Sequence, residues 1–547
     1  MTANSVELSR SGGSVVTGTT TEGCDSAANH EVAVKASSFG LFNVLVIAIM
    51  LPASLSSVFS TTSMSYVFPI AQCDLNLTVD DKGLLNSVTY FGMLVSGFLW
   101  GVLTDLFGRR KLLVFLFFFE GIMVILTGFS QYFAYLAAAK FVEGIVITGG
   151  VSTVLTYTNE FHSAYHRTFI PVINGIYSNL ASIVLPLVGW SLFTDSMNLS
   201  LLNDGMLLRS WNIFLFVTAI PSFVAFVFYM ILPESPKFLM TVGKREEALE
   251  VFRTMFRINT RRSRDEYPIT TLVDESKLFE DKLHGGHVTS NRSNMQALKE
   301  GCQQIQPLFY PPFLINIFIV LTINFGLLMG LNTIRLWTPQ LFIALNNYES
   351  LHKENGFDLC GALSQIGNDG QASNETCFVN YNNGQVYLHN IVVSVAAIVI
   401  IVCSLPLMGK FKKKNILCGT GICSGLCGVF IYFSTNIVMA IALISVNVGC
   451  TYIALNVLLS IVIDLFPTSL RTIAVSLAMV FGRLGSSIGN VIFPPLLTSG
   501  CFFPFLTVGG MAAGKYLQSF TQNFKIHLVI GSNTACCIDR RDIGNPM

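Results

Sequence analysis

Charge is what this sequence has least of. Only 12% of its 547 residues are Asp, Glu, Lys or Arg, about half the ~25% typical of a soluble domain. Other absences narrow the chemistry. There is no Gly-rich phosphate loop, so nucleotide binding has no cradle. No Cys-x-x-Cys pair stands out, and the 8 histidines are dispersed, so no metal centre is expected. No Ser-His-Asp set is arranged for nucleophilic catalysis. An enzyme is therefore not expected, and no cofactor is implied. The net charge is only +1, without a basic patch interleaved with aromatics, which excludes nucleic acid as partner. The first 38 residues are polar and rich in Ser, Thr and Gly. Lacking an apolar core, they are no secretory signal, and a disordered cytosolic tail over 1–38 is expected.

Apolar runs are what is present. Hydrophobic residues make up 52% of the chain. A bilayer-spanning helix needs about 20 apolar residues, and eleven candidates run near 40–70, 84–104, 112–130, 132–158, 169–194, 211–232, 313–334, 388–408, 415–434, 437–461 and 473–498. A twelfth starts at Cys501 but meets Lys515 after 14 residues, too few for about 30 Å of hydrocarbon at about 1.5 Å per residue. The expected class is all-α: a polytopic protein of twelve helices, six and six, with span 12 apparently truncated by an alternative exon or a gene-model error. The expected parts are bundles at 39–232 and 308–514, a linker with short helices at 233–307, an outer loop at 341–386, and an irregular tail of low order at 515–547. The amphipathic run Lys244–Arg253 is expected to bracket the two bundles or to lie on anionic lipid.

Positive charges set the orientation. Arg109, Arg110 and Lys111 follow span 2, Arg167 follows span 4, Lys410 and Lys412–Lys414 follow span 8, and Arg471 follows span 10. The opposite loops carry Asp74, Asp80, Asp81, Asp195, Asp204, Glu349, Glu354 and Asp358. Both termini are therefore expected in the cytosol if span 12 is complete. Sequons at Asn198 and Asn374 fall on the outer side, making both glycosylation candidates; Asn76 lies close to the membrane. Cys360 and Cys377 share one polar loop, and a disulfide between them is expected if that loop meets an oxidising compartment.

The run Gly101-Val-Leu-Thr-Asp105-Leu-Phe-Gly108-Arg109-Arg110-Lys111 joins spans 2 and 3. Glycines permit a tight turn, the cations hold it at the cytosolic face, and the aspartate can pair with a cation or cap a helix. This G-x-L-x-D-x-x-G-R-R-K pattern resembles the signature of the major facilitator superfamily. The halves also echo one another: Glu160 and Arg167 follow span 4 as Asp464 and Arg471 follow span 10, and Gly409-Lys-Phe-Lys-Lys-Lys414 is a degenerate copy of the first turn. Such a repeat implies two related bundles. Its charges either latch the bundles together when the pathway faces outward, or serve only as orientation signals and caps.

Further motifs narrow the resemblance. Pro233-Glu234-Ser235-Pro236 is similar to a P-E-S-P-R run of sugar and organic-ion porters, Lys140-Phe141-x-x-Gly144 to their R-F-x-x-G, and Asp464-Leu-Phe-Pro467-Thr468-x-x-Arg471 to their E-x-x-P-T-x-x-R. Cys73-Asp-Leu-x-Leu, Lys82-Gly-Leu-Leu-Asn86, Ser210-Trp211 and Phe481-Gly-Arg483-Leu-Gly-Ser resemble the synaptic vesicle glycoprotein 2 branch. The resemblance implies that Asp105, Arg109 and Arg110 belong to a gate, that Glu160, Arg167, Glu234, Asp464 and Arg471 form a cytosolic charge network, and that spans 1, 4, 7 and 10 line a central cavity. Span 1 has no carboxylate but a hydroxyl-rich face, Ser54 through Ser63. That face suits hydrogen bonding to a polar solute, or close helix packing. Polar groups at depth are costly and mark function; Glu143, Asn324, Arg335, Asn447, Asn456 and Arg483 are the pathway candidates. The leading reading is a monomeric secondary transporter of a small organic solute in a plasma or vesicle membrane, working by alternating access. Alternatives are a vesicle-membrane glycoprotein that scaffolds trafficking proteins, and a sugar porter.

Overall fold

Within hydrocarbon every backbone N–H and C=O must find a partner inside the chain, and helices achieve this segment by segment. The computed structural model describes residues 28–194, 199–201, 206–273, 306–311, 313–351, 359–368, 384–466 and 468–511. Among these, ten helices are long and apolar enough to cross a bilayer, and a bent helix makes an eleventh if its two parts are one span.

The first bundle contains α2 (Leu41–Leu75), α3 (Val79–Phe107, the bent one), α4 (Arg109–Gly128), α5 (Phe133–Glu160), α7 (Ile170–Leu192) and the pair α8 (Ser210–Thr218) and α9 (Ile220–Ile231). A four-residue α6 (Ala164–Arg167) precedes α7, and a short antiparallel hairpin, β1 (Leu199–Leu201) with β2 (Met206–Leu208), separates α7 from α8. Local chemistry sets the ends. Thr78 and Asp81 form a reciprocal capping box at the start of α3, satisfying donors that the first turn leaves open. Asn76, in the left-handed conformation at φ 49°, ends α2.

The second bundle contains α12 (Phe313–Leu351), α14 (Gly384–Lys410), α15 (Lys413–Phe430), α16 (Ile437–Leu465) and α17 (Thr468–Ser499). A ten-residue apolar helix, α18 (Phe502–Met511), follows. At about 1.5 Å per residue its ten described residues cover about half of the hydrocarbon. The residues from 512 on lie outside the described ones.

Three expectations are corrected here. Helix α12 continues past Arg335 to Leu351, and α13 (Leu359–Asn368) follows it, so the supposed outer loop from 341 is partly helical. Leu341, Phe342, Leu345, Leu359, Ala362 and Leu363 are buried together with Val386 and Phe505, and this apolar burial holds the extension in place. Second, Cys360 bonds to Cys501 with Cα atoms 5.6 Å apart, not to Cys377, which lies outside the described residues. The bridge ties α13 to the head of α18 across 141 residues of sequence. Third, the tail expected to lack structure contains α1 (His30–Ala36), capped by the Asn29 side chain.

A short α10 (Pro236–Thr241) follows α9, and α1 docks because the next helix, α11 (Arg245–Thr260), offers an apolar stripe. Leu249, Phe252, Met255 and Phe256 share one core cluster with Ala33 and Val34 of α1 and with Phe42 and Val46 of α2. The Tyr267 hydroxyl donates to the Ala33 carbonyl at 2.8 Å, and Asn259 donates to the carbonyls of Ser37 and Ser38. The amphipathic segment therefore packs on the first bundle and the N-terminal helix; the contact described for it is not a bracket between bundles.

Candidate functional site

The basic end of the first bundle is closed by one connected set of charges. Gly108 alone separates α3 from α4, with φ +92°. A Cβ there would come within 2.8 Å of Glu234 Oε2 and of the Phe238 ring, so the position needs glycine both for its conformation and for the close approach. Gly101, expected to share that turn, lies inside α3, with nothing within 4 Å of where its Cβ would be.

Arg109, the first residue of α4, is buried. It donates to Asp105 Oδ1 at 3.0 Å and to the Thr104 carbonyl at 3.3 Å, and its Nε lies 3.3 Å from Glu160 Oε2. Its guanidinium sits 5.1 Å from the Phe238 ring centroid, a cation–π distance. The Ser235 hydroxyl donates to Glu160. Glu234 Oε1 accepts from the backbone N–H of Arg110 at 2.9 Å, placing a carboxylate at the positive end of α4. The Arg110 side chain donates to the carbonyls of Tyr229 and Met230 at the end of α9, the negative pole of that helix. Lys111 is exposed. The Pro233–Pro236 run and the α3–α4 turn, about 120 residues apart in sequence, are thus one structure.

The paired acid and arginine after span 4 separate. Glu160 joins Arg109, whereas Arg167 Nη2 lies 3.2 Å from Glu31 Oε2 of α1 and its Nε donates to the carbonyls of Asn159 and His162. In the second bundle Lys413 Nζ lies 2.7 Å from Asp464 Oδ2. Among the described residues Arg471 makes no ion pair, and its Nε has no partner. Glu31, Ser235 and Lys413 were not expected in this network. A basic first residue of α15 was the available signal for Lys413; nothing in a polar tail pointed to Glu31.

Two histidines of this end lie outside the spans. Burial, with Arg167 and Lys237 nearby, lowers the His30 pKa to about 4, and its Nε2 faces the Glu160 carbonyl at 3.0 Å. Burial likewise lowers the pKa of His162.

Deep polar groups divide into two populations. Some point into a bundle. Lys140 Nζ and Glu143 Oε1 pair at 3.0 Å, fully buried; Lys140 also donates to the Ser60 carbonyl and to Ser63, and Thr127 donates to Glu143. Ser56 and Ser60 donate to Glu120 at 2.5 and 3.1 Å. Ser56, Ser60 and Ser63 of the hydroxyl-rich face of span 1 are engaged here. Gly144 permits this packing, since a Cβ would strike the Thr89 carbonyl of α3. In the second bundle Asn324 donates to the Ala478 carbonyl at 2.6 Å and Asn447 to the Ser424 carbonyl at 2.7 Å. Glu143, Asn324 and Asn447 are therefore interhelical ties within a bundle.

The others face the seam between bundles. Arg335 of α12 donates to Tyr452 of α16 and to Thr61 of α2, both at 3.4 Å. Arg483 of α17 donates to the Met93 carbonyl of α3 at 3.3 Å. Asn456 lies 3.6 Å from the Cβ position of Gly175 on α7, and its Nδ2 has no partner. Towards the acidic end the seam is shut: Ser487 donates to the Ser87 carbonyl, Ser394 to the Ser182 carbonyl, and Tyr387 stacks on Tyr66 and Trp190. Towards the basic end it parts. On the face of α3 where Gly97 meets Arg483 at 3.2 Å, Gly101 meets nothing, and the Asp105 side chain is 73% exposed.

Paired bundles, a charged turn between spans 2 and 3 and a polar seam are the marks of one transporter superfamily, and its profile, Major Facilitator Superfamily, matches residues 50–490. The chain belongs to the major facilitator superfamily. Relatives include synaptic vesicle glycoprotein 2C of Mus musculus, 28% identical over 243 residues, which are 43% of this chain and 32% of that protein. Synaptic vesicle glycoprotein 2B of Rattus norvegicus is 31% identical over 229 residues, 40% of this chain and 32% of its own. The matches span about a third of those relatives' length. A solved structure of the E. coli xylose transporter XylE in a partially occluded inward-open conformation is similar in fold, with TM-score 0.60, 16% identity, and coverage of 88% of this chain and 97% of that one. As a superfamily member with ten or eleven described helices long and apolar enough to cross a bilayer, the chain is an integral membrane protein.

Proposed function

We propose that this superfamily member is a secondary transporter that carries a small organic solute by alternating access, with its basic loops in the cytosol and, if span 12 is complete, both ends of the chain there too. One observation supports this above all: the seam holds Arg335, Asn456 and Arg483, is shut towards the acidic end and parts towards the basic end. A polar path open to one side only is half of an alternating-access cycle. In this reading the Asp105–Arg109–Glu160 set stiffens the basic end of the first bundle, so that the bundle rocks as a body. Asn198 and Asn374, both outside the described residues, carry glycans in the same orientation.

Uptake into proteoliposomes tests the proposal. A wild-type chain that moves some solute down its gradient, with Asp105→Ala and Arg110→Ala slowed at least tenfold, supports it. Equal rates in all three remove the gating role; no flux in a metabolite-wide screen removes transport.

A second reading is favoured by the similarity to synaptic vesicle glycoproteins 2C and 2B. A vesicle-membrane glycoprotein that organises trafficking proteins would copurify with stable partners and move no solute. Affinity purification alongside the uptake screen separates the two.

A further inference from the structure

Among the described residues Arg335 is a charge without a counter-charge. It lies near the middle of α12, and the hydrogen bonds of its guanidinium go to two neutral hydroxyls, Thr61 and Tyr452, each at the long distance of 3.4 Å. Its Nε has no partner. The Tyr90 hydroxyl stands beside it as one more neutral group. The carboxylates that reach this depth are engaged elsewhere: Glu143 with Lys140 and Thr127, Glu120 with Ser56 and Ser60. An intramembrane arginine is normally offset by an acid or by carbonyls. Here α2, α3, α12 and α16 converge on it from both bundles, and the polar partners they bring among the described residues are hydroxyls.

The surroundings have a direction. Asn456 lies one helical turn from Tyr452 along α16, towards the parted end, with its Nδ2 unpaired. Arg483 stands beside Met93, one turn along α3 from Tyr90 in the same direction. The way in from the parted end therefore passes an arginine and an amide donor before it ends at a second arginine ringed by hydroxyls. Met93, Ile147 and Leu336, buried around Tyr90, make the wall apolar.

Building on the transport reading, we infer that the seam binds an organic anion, its acidic group on Arg335 and the hydroxyls of Thr61, Tyr90 and Tyr452, its apolar part against Met93 and Ile147. A guanidinium offers paired donors that match a carboxylate or sulfonate. A neutral sugar would leave the buried charge uncompensated, and a cation would add to it.

The test uses the full-length protein in nanodiscs and in proteoliposomes, with benzoate and benzenesulfonate as probe anions, benzylamine as cation and glucose as neutral control. Thermal unfolding with each probe reads binding, and radiolabelled uptake reads transport. We expect the two anions alone to raise the melting temperature and to enter saturably. Arg335→Gln should abolish both effects, and Arg335→Lys should keep part of each. Thr61→Val and Tyr452→Phe keep the charge, guard against a variant that simply misfolds, and should raise the half-saturating benzoate concentration several-fold. Preference for glucose or benzylamine, or anion effects that survive Arg335→Gln, overturns the anion site while leaving transport standing. Anion-specific stabilisation lost in Arg335→Gln without any uptake upholds the site and overturns transport. Absence of stabilisation and uptake by either anion overturns the site.

Discussion

Lys413 and Asp464 meet at 2.7 Å in the second bundle as Arg109 and Glu160 meet at 3.3 Å in the first. In each case the cation is the first residue of the bundle's third span and the acid sits at the end of its fourth. The second copy has lost the aspartate of the turn but kept this tie. The first pair is buried and joined by Ser235; the second is about half exposed. Arg109→Gln should therefore cost about 3–5 kcal/mol by leaving Glu160 buried and unpaired. Lys413→Gln should cost at most about 1 kcal/mol. Melting temperatures of the two purified variants check this; equal losses would mean that burial does not separate the pairs.

Gly108→Ala should destabilise the protein. Its φ of +92° and the approach of Glu234 and Phe238 both oppose a Cβ, at a combined cost of about 1–3 kcal/mol. Gly101→Ala, with open space around it, should be tolerated. Monodisperse yield and melting temperature of the two variants give the comparison.

Breaking Lys140–Glu143 on one side should be worse than removing it. Lys140→Met or Glu143→Leu alone leaves a buried charge and should cost about 3–5 kcal/mol, while the double variant should recover most of it. A double variant no more stable than either single would show that the pair is not the determining contact.

The disulfide is open to direct analysis. Non-reducing peptide mapping should find Cys360 linked to Cys501. The link should persist in Cys377→Ser and vanish in Cys501→Ser. A Cys360–Cys377 peptide would restore the pairing expected from the sequence.

Acid should loosen the N-terminal helix. The His30 pKa is lowered to about 4 by burial, against about 6.5 in an unfolded chain. The folded form thus binds fewer protons, and its stabilising effect is complete above about pH 6.5 and lost as pH falls towards about 4. Hydrogen-exchange protection factors over residues 28–38, corrected for the intrinsic pH dependence of amide exchange, should fall between pH 7 and pH 5, and much less so in His30→Asn. A pH-independent protection factor in the wild type would contradict this.

How much was legible depends on what each property needs. The apolar runs, the basic turns and the Asp105–Lys111 motif identify a polytopic helical protein of this superfamily, because hydropathy and turn chemistry are local. The rotational phase of a helix inside its bundle is not local. Glu143, Asn324 and Asn447 read like Arg335, Asn456 and Arg483 along the chain, yet the first three tie helices within a bundle and the others face the seam. Partner choice is equally nonlocal: Arg167 found Glu31 rather than Glu160, and Cys360 found Cys501. By itself the sequence determined which segments are helices in lipid, since the bilayer penalises every unpaired backbone group regardless of neighbours. Only the tertiary structure decided which buried charges are neutralised within a bundle and which face the seam, because that depends on the face each helix turns to the next.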